Sequence, residues 1–144
     1  MEAKVFPGTL DSLEPVRDYV ANAARAAGLD RGSIYRLCLA VDEIATNVVL
    51  HGYEEAGLSG DLVVEAAQEP DKLVIRLVDR GRPYDPDQAS PPDLKSSLLD
   101  RQEGGLGLFL ARDGVDRFDY IPGDSGNIHQ FVVLLPAGEP QKKT

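Results

Sequence analysis

The sequence predicts an α+β fold, a two-layer α/β sandwich in which helices pack on one face of a sheet. Apolar residues recur every three or four positions between Gly32 and His51, which predicts a helix with one buried face. Apolar and polar residues alternate in 62–67 and 73–78, which predicts two strands. Because 144 residues suffice for one domain with a proper core but not for two, we expect residues 1–144 to form a single domain.

The first predicted elements are a short edge strand and a helix. Ala3 to Phe6 form the strand, and Asp11 or Ser12 caps the helix, which Gly28 ends. The predicted buried stripe of this helix consists of Leu13, Val16, Val20, Ala23 and Ala27.

The second predicted helix has the clearest periodicity in the chain. It begins near Gly32 and Ser33 and runs to His51, with Gly52 as its C-terminal stop. Its predicted buried stripe consists of Ile34, Leu37, Cys38, Val41, Ile44, Ala45 and Val48. These residues lie within about 120° of one another around the helix, so this face should pack on the sheet.

The rest of the chain combines strands with one long irregular segment. The two alternating strands, Leu62–Ala67 and Leu73–Val78, should form a hairpin. Residues 79–107 are rich in proline and glycine, which is typical of a functional loop or lid. A short helix at 106–113 should follow. Two strands, at 115–121 and 128–135, and a frayed tail at 137–144 complete the prediction.

Composition and charge narrow the function classes. The chain has 24 acidic and 15 basic residues, a formal net charge of −9, which opposes binding to a nucleic-acid backbone. No run approaches the roughly 18 apolar residues of a membrane span, and the N-terminus lacks a signal-peptide core. The single cysteine, Cys38, cannot form an internal disulfide. We therefore expect a cytoplasmic protein with no nucleic-acid or membrane partner.

Three polar residues form a ladder on the second predicted helix. Glu43, Asn47 and His51 recur every four residues, and four residues advance only about 40° around a helix. Leu39 and Leu50 lie on roughly the same side, so something should cover this face. Covered polar groups need partners, and a cation with phosphates would provide them. The alternatives are that the ladder faces water and that His51 only stabilises a helix C-terminus.

A second candidate element follows the second alternating strand. It extends from Asp79 to Pro86, at a strand end where ligand-binding loops tend to lie. Asp79 can accept a hydrogen bond from the exocyclic amine of adenine, and Gly81 lets backbone pass close to a flat base. The alternative is an ordinary Asp-Gly turn.

A third candidate element is the glycine-rich segment from Glu103 to Leu108, which opens the predicted short helix. Its backbone N–H groups and the helix dipole favour an anion. The segment matches neither a P-loop nor the Gly-x-Gly-x-x-Gly fingerprint of dinucleotide-binding proteins. The alternative is a flexible hinge or a simple helix start.

Taken in this order, the three elements resemble the motifs of the GHKL superfamily of ATPases, and within it the anti-sigma-factor serine kinases. Residues 40–53 resemble the N box of that family, Asp79–Pro86 its adenine loop, and Gly104–Leu108 its phosphate loop. The resemblance extends from about Val5 to Leu135. It implies the Bergerat or GHKL ATP-binding fold, with a mixed, mostly antiparallel sheet and helices on one face.

The resemblance also implies roles for individual residues. Glu43 would be the catalytic base, Asn47 the ligand of Mg2+, and Asp79 the residue that holds the adenine of ATP. One carboxamide with waters suffices for Mg2+, which prefers oxygen ligands. The other nucleotide-binding positions would be His51, Gly81, Pro83, Gly104, Gly105, Leu106, Gly107 and Leu108. Residues 87–102 would form an ATP lid, from which Lys95 or Arg101 could reach the phosphates.

By this resemblance, the chain is a cytoplasmic ATP-dependent serine/threonine protein kinase and anti-sigma factor. It would act as a homodimer on a serine of an anti-anti-sigma (STAS-type) partner and so control release of a sigma factor. The only histidines, His51 and His129, do not lie on a preceding helical hairpin, which disfavours a stand-alone histidine kinase. Two alternatives are a non-catalytic ATP-binding module that sequesters a partner protein and an unrelated α+β domain that uses no nucleotide.

Overall fold

A computed structural model describes residues 2–83 and 114–136. The N-terminal part contains strand β1 (Lys4–Pro7), a 3₁₀ turn (Leu10–Ser12), helix α1 (Leu13–Ala26), helix α2 (Arg31–Asn47) and a π-helix (Val48–Glu54). The strands that follow are β2 (Asp61–Gln68), β3 (Lys72–Asp79), β4 (Arg117–Ile121) and β5 (Asn127–Leu134). The short helix predicted at 106–113 and the tail at 137–144 lie outside the described residues.

The five strands form one sheet in the order β1-β2-β3-β5-β4. All four strand pairs are antiparallel, which agrees with the mostly antiparallel sheet that was expected. The predicted hairpin of β2 and β3 is confirmed, and the N–H of Glu69 closes its turn on the carbonyl of Lys72 at 2.8 Å. Because β5 lies directly beside β3, the end of β3 meets the start of β5.

The helices pack against one face of this sheet, which confirms the two-layer sandwich. The apolar side chains that the sheet contributes to the core are Phe6, Leu62, Val64, Ala66, Leu73, Ile75, Leu77, Phe131 and Val133. The opposite face is polar at its centre, where Nε of Arg76 donates to Oε1 of Gln130 at 2.7 Å. Burial of the apolar face against the helices is the main force that holds the two layers together.

Helix α1 ends as predicted but is capped differently. Ser12 lies at the N-cap position, yet its hydroxyl donates to the carbonyl of Pro7 and makes no cap hydrogen bond to the helix. Gly28 follows the helix with a φ of +87°, the left-handed conformation that favours glycine. The buried residues of this helix are Val16, Tyr19, Val20, Ala23 and Ala24.

The helical segment that begins with α2 continues, as a π-helix, beyond the predicted end at His51. Asp30 caps the first turn of α2, because its Oδ1 accepts a hydrogen bond from the N–H of Ser33 at 2.7 Å. The predicted stop at Gly52 is wrong, because the π-helix carries the chain through this residue. The N–H of Glu55 donates to the carbonyl of Leu50, five residues earlier, at 2.9 Å. Such π-helical turns are rare and occur frequently at functional sites.

Two further expectations concern Cys38 and membrane spans. Cys38 lies in the core, as predicted, and burial raises the pKa of its thiol. A protonated thiol is unreactive, so Cys38 acts as a small apolar side chain. Within residues 2–83 and 114–136, no helix is long and apolar enough to cross a membrane.

Candidate functional site

The polar ladder lies at the junction of α2 and the π-helix. Asn47, the last residue of α2, is only 7% exposed, and Glu43, one turn earlier, is partly buried. Asn47 is therefore not a water-facing surface residue. His51 lies beyond the junction, where the regular α-helical rotation used to predict the ladder no longer applies. Its Nδ1 lies 2.9 Å from Oε1 of Glu55, and this contact holds the pKa of the Glu55 carboxyl below its ordinary value.

Glu43 has an altered proton affinity. Partial burial raises the pKa of its carboxyl, and the negative charge of Asp42 raises it further. Asp42 in turn pairs with Arg17 of helix α1, with 3.1 Å between its Oδ1 and Nη2 of the arginine. A carboxylate with raised proton affinity that is still partly accessible is suited to accept a proton.

Asp79, the last residue of β3, is the centre of a buried hydrogen-bond network. Its Oδ1 accepts from the N–H of Gly81 at 2.8 Å and from Nδ2 of Asn127 at 3.0 Å. Its Oδ2 lies 2.8 Å from Nε2 of His129. Asn127 Nδ2 also donates to the carbonyl of Gly81 at 3.0 Å. These donors stabilise a carboxylate that is only 3% exposed and would otherwise be costly to bury.

The register of β3 and β5 creates this network. Asp79 is paired with Asn127, and Leu77 is paired with His129. Because alternate residues of a strand point to one face, Asn127 and His129 share the face of the buried Phe131. Both side chains therefore reach Asp79 from the neighbouring strand, one directly opposite and one diagonally.

Gly81 contacts the π-helix at close range. A Cβ at this position would lie 2.6 Å from the carbonyl oxygen of Gly52 and 2.8 Å from its carbonyl carbon. The N–H of Arg82 donates to the same oxygen at 2.8 Å, and Nη2 of Arg82 donates to the carbonyl of His51 at 3.0 Å. The segment after β3 is thus fastened to the helical segment that follows Asn47. The backbone of Gly52 is the close neighbour that excludes a side chain at Gly81. A role for Gly81 beside the adenine base stays a prediction.

Tyr53 in the π-helix joins several segments around the site. It is 1% exposed, and its hydroxyl donates to the carbonyl of Asp61 at 2.7 Å and accepts from the N–H of Arg80 at 2.9 Å. Its ring lies so close to Gly8 and Gly60 that a Cβ at either position would come within 2.7 or 2.9 Å of a ring carbon. Tyr53 therefore fixes the π-helix to the start of β2 and to the segment after β3.

Sequence reasoning missed the residues that support Asp79. Asn127 and His129 alternate with Phe131 and Val133 on the core-facing side of β5. Polar residues at such positions need buried partners, so the alternating pattern was a usable signal once β5 had been placed beside β3. Tyr53 gave no such signal, because its partners come from segments distant in sequence.

Several predicted site residues lie outside the part of the chain that the structure describes. They are Gly104, Gly105, Leu106, Gly107 and Leu108 of the glycine-rich segment, and Lys95 and Arg101 of the predicted lid at 87–102. Pro83 is the last residue described before that part of the chain. Within the described ranges, no group of three or more His, Cys, Asp or Glu side chains is arranged to hold a metal ion.

Comparison with known sequences connects this geometry to a family. Residues 6–132 match the family model described as a histidine kinase-like ATPase domain. The serine-protein kinase RsbW of Halalkalibacterium halodurans is 32% identical over 92% of this chain and 82% of its own length. The serine/threonine-protein kinase BtrW of Bordetella bronchiseptica is 33% identical over 65% of each of the two chains.

Two solved structures share the fold. The RsbU and RsbW domains of a Mycobacterium tuberculosis protein match with a TM-score of 0.64 and 20% identity, over 95% of this chain and 34% of that one. The histidine kinase domain of a blue-light activated kinase from Erythrobacter litoralis matches with a TM-score of 0.55 and 16% identity, over 88% and 61%. At these identities the likeness concerns the fold.

The two-layer sandwich and the family match define the class as an ATPase domain, a class whose activity requires ATP binding. The chain belongs to the histidine kinase-like ATPase domain family. Within that family, it is homologous over most of its length to the RsbW-type anti-sigma serine kinases.

Proposed function

We propose that this chain is an ATP-dependent serine/threonine protein kinase and anti-sigma factor that forms one nucleotide-binding domain over residues 1–144. It would transfer the γ-phosphate of ATP to a serine of an anti-anti-sigma (STAS-type) protein and so control release of a sigma factor. The main structural support is a pair of polar residues one helical turn apart at the end of α2, the partly buried Glu43 and the buried Asn47. The similarity to RsbW and BtrW supports the reaction class.

Asp79 is the proposed adenine-binding residue. Among the described residues its Oδ2 accepts one hydrogen bond, from His129. A carboxylate oxygen can accept two, and the amino group of adenine is a donor of the required kind. The contact of Gly81 with Gly52 holds the segment after Asp79 against the helical segment after Asn47. The two ends of the proposed nucleotide site thus belong to segments in direct contact.

Asn47 is the proposed ligand of Mg2+. This hard cation prefers oxygen ligands, keeps several of its waters and binds substrate phosphates. When bound, it would neutralise charge on the phosphoryl group during transfer. Asn47 lies on α2 one helical turn after Glu43, which supports its assignment to the same site.

Glu43 is the proposed general base. The serine oxygen of the partner forms the new bond to the γ-phosphorus, the bond from the γ-phosphorus to the bridging oxygen breaks, and ADP leaves. The proton of the serine hydroxyl passes to the Glu43 carboxylate. The raised pKa of this carboxyl favours proton uptake, and the location of Glu43 one turn before Asn47 keeps the base close to the proposed metal ligand.

The proposed partners are proteins, namely the STAS-type substrate, a sigma factor and a second copy of this chain. The excess of 24 acidic over 15 basic residues opposes a direct nucleic-acid partner. We further propose a cytoplasmic location, as expected for a protein that would bind a sigma factor.

Phosphate transfer to the partner tests this function. We expect the protein with γ-labelled ATP and Mg2+ to label a purified STAS-type anti-anti-sigma protein from the same organism, because Glu43 and Asn47 provide a base and a metal ligand. The label should sit on serine and be absent when the acceptor serine of the partner is replaced by alanine. ATP binding without any label would contradict the kinase and favour the non-catalytic, partner-sequestering module.

A further inference from the structure

Strand β5 carries two polar side chains into the core, and neither is among the residues assigned above to bind nucleotide or transfer phosphate. Asn127 and His129 are each 3% exposed. Both contact the carboxylate of Asp79, Asn127 through its Nδ2 at 3.0 Å and His129 through its Nε2 at 2.8 Å. Burying two polar side chains is unfavourable unless their hydrogen bonds offset the loss of water. Their contacts with Asp79 therefore indicate that their role concerns this carboxylate.

The hydrogen bonds leave the two oxygens of Asp79 unequal. Oδ1 accepts from both the N–H of Gly81 and Nδ2 of Asn127, which fills the two acceptor positions of a carboxylate oxygen. Among residues 2–83 and 114–136, Oδ2 accepts from His129 alone. With respect to this part of the chain, one acceptor position on a single, defined oxygen is therefore left for a further donor.

The chemistry of the partners fixes the donor atoms. Asn127 Nδ2 faces two oxygens, those of Asp79 and the Gly81 carbonyl, so exchanging its amide oxygen and nitrogen would set oxygen against oxygen. His129 likewise must present an N–H at Nε2 to an ionised Asp79. Its ring also packs against Tyr120 of β4, with 5.1 Å between the ring centroids, which restricts its orientation.

We propose that His129 and Asn127 are positioning residues that hold Asp79 in one rotamer, so that Oδ2 presents its remaining acceptor position to the amino group of a 6-aminopurine nucleotide. The two residues would thereby set base specificity without touching the base. This inference rests on the proposed nucleotide-binding function of Asp79. Without His129, Oδ2 loses its fixed donor and the carboxylate can turn about its last side-chain bond.

Nucleotide specificity tests the role of His129. The affinities of the full-length protein for ATP and for inosine triphosphate are measured by calorimetry, since inosine has a carbonyl oxygen in place of the amino group. We expect wild type to prefer ATP by about 10- to 100-fold, the usual effect of one hydrogen bond to a charged group. His129→Leu should reduce this preference to within about threefold. His129→Gln, whose amide can donate to Oδ2, should restore most of it.

Controls separate positioning from a general loss of structure. Gln130→Leu makes a similar change at the next residue of β5, on the opposite face, where Gln130 contacts Arg76 and not Asp79, so the ATP preference should be unchanged. If His129→Leu bound ATP and inosine triphosphate more weakly by the same factor, the ratio of the two affinities would be unchanged. This result would overturn the inference but would not contradict the proposed nucleotide-binding function. Failure of wild type to bind either nucleotide would contradict the proposed function itself, and this inference with it.

Discussion

Glu43→Gln is expected to lower the rate of phosphate transfer to the partner by about 100- to 10,000-fold, the usual contribution of a general base. The amide keeps the size of the side chain but cannot take the proton from the serine hydroxyl. ATP affinity should stay within about threefold of wild type, because a base acts in the reaction and not in nucleotide binding. Single-turnover transfer of label, together with a calorimetric ATP titration, measures both quantities.

Asp42→Asn is the matched control for this variant. Asp42 is the neighbouring carboxylate, but it pairs with Arg17. Its charge is the smaller cause of the raised pKa of Glu43, and burial is the larger one. We therefore expect its transfer rate to fall by no more than about tenfold. If Glu43→Gln transfers phosphate at the same rate as Asp42→Asn and wild type, Glu43 is not the base.

The stability of the Glu43→Gln protein should differ from that of wild type, and the difference should depend on pH. Burial raises the pKa of Glu43 in the folded state, so the folded protein holds this proton more tightly than the unfolded chain does. The stabilisation is complete at pH values below the unfolded pKa and is lost as pH rises through the folded pKa. The variant, which carries no charge at this position, should therefore be slightly more stable than wild type at neutral pH.

Gly81→Ala is expected to destabilise the fold by about 2 to 3 kcal/mol, as overpacking does at tightly packed positions. The new Cβ would lie 2.6 Å from the carbonyl oxygen of Gly52, and both partners are backbone. The contact cannot relax unless the segment after β3 moves away from the π-helix, which would disturb the N–H that Gly81 donates to Asp79. Thermal and urea unfolding measure the loss, and ATP affinity should fall with it.

Gly32→Ala provides the control for Gly81→Ala. A Cβ at Gly32 would have as its nearest neighbour the end of the flexible Arg36 side chain, at 3.3 Å, within helix α2. Alanine is preferred over glycine in helices by up to about 1 kcal/mol, so this variant should be neutral or stabilised. Equal stability of the two variants would show that the contact of Gly81 with Gly52 is not close.

Local sequence patterns predicted most of the secondary structure. The stripe from Ile34 to Val48 identified the buried face of α2 and of the first π-helical residue, although Ile34 itself is only partly buried. The alternation in 62–67 and 73–78 identified the β2–β3 hairpin, and Gly28 marked the end of α1. Each of these depends on neighbours within a few residues. The π-helix could not be predicted in this way, because a glycine such as Gly52 usually ends a helix. Here the backbone of Gly52 contacts Gly81 and Arg82, which are distant in sequence.

The candidate site was only partly predictable for the same reason. Glu43, Asn47 and Asp79 lie within recognisable motifs, so their types and spacing singled them out. The supports of Asp79 depend on strand register, which joins residues 48 and 50 positions apart. Before β5 was known to lie beside β3, Asn127 and His129 could not be assigned to this site.

The most direct test of the proposed Mg-ATP site is a calorimetric titration of ATP with and without Mg2+, on wild type and Asn47→Ala. Asn22→Ala, at a position outside the site, is the matched control. We expect Mg2+ to tighten ATP binding by wild type and Asn22→Ala about tenfold or more, and to have little effect on Asn47→Ala, which lacks the oxygen ligand. Equal ATP affinity of wild type with and without Mg2+, or an undiminished Mg2+ effect in Asn47→Ala, would contradict the assignment of this site.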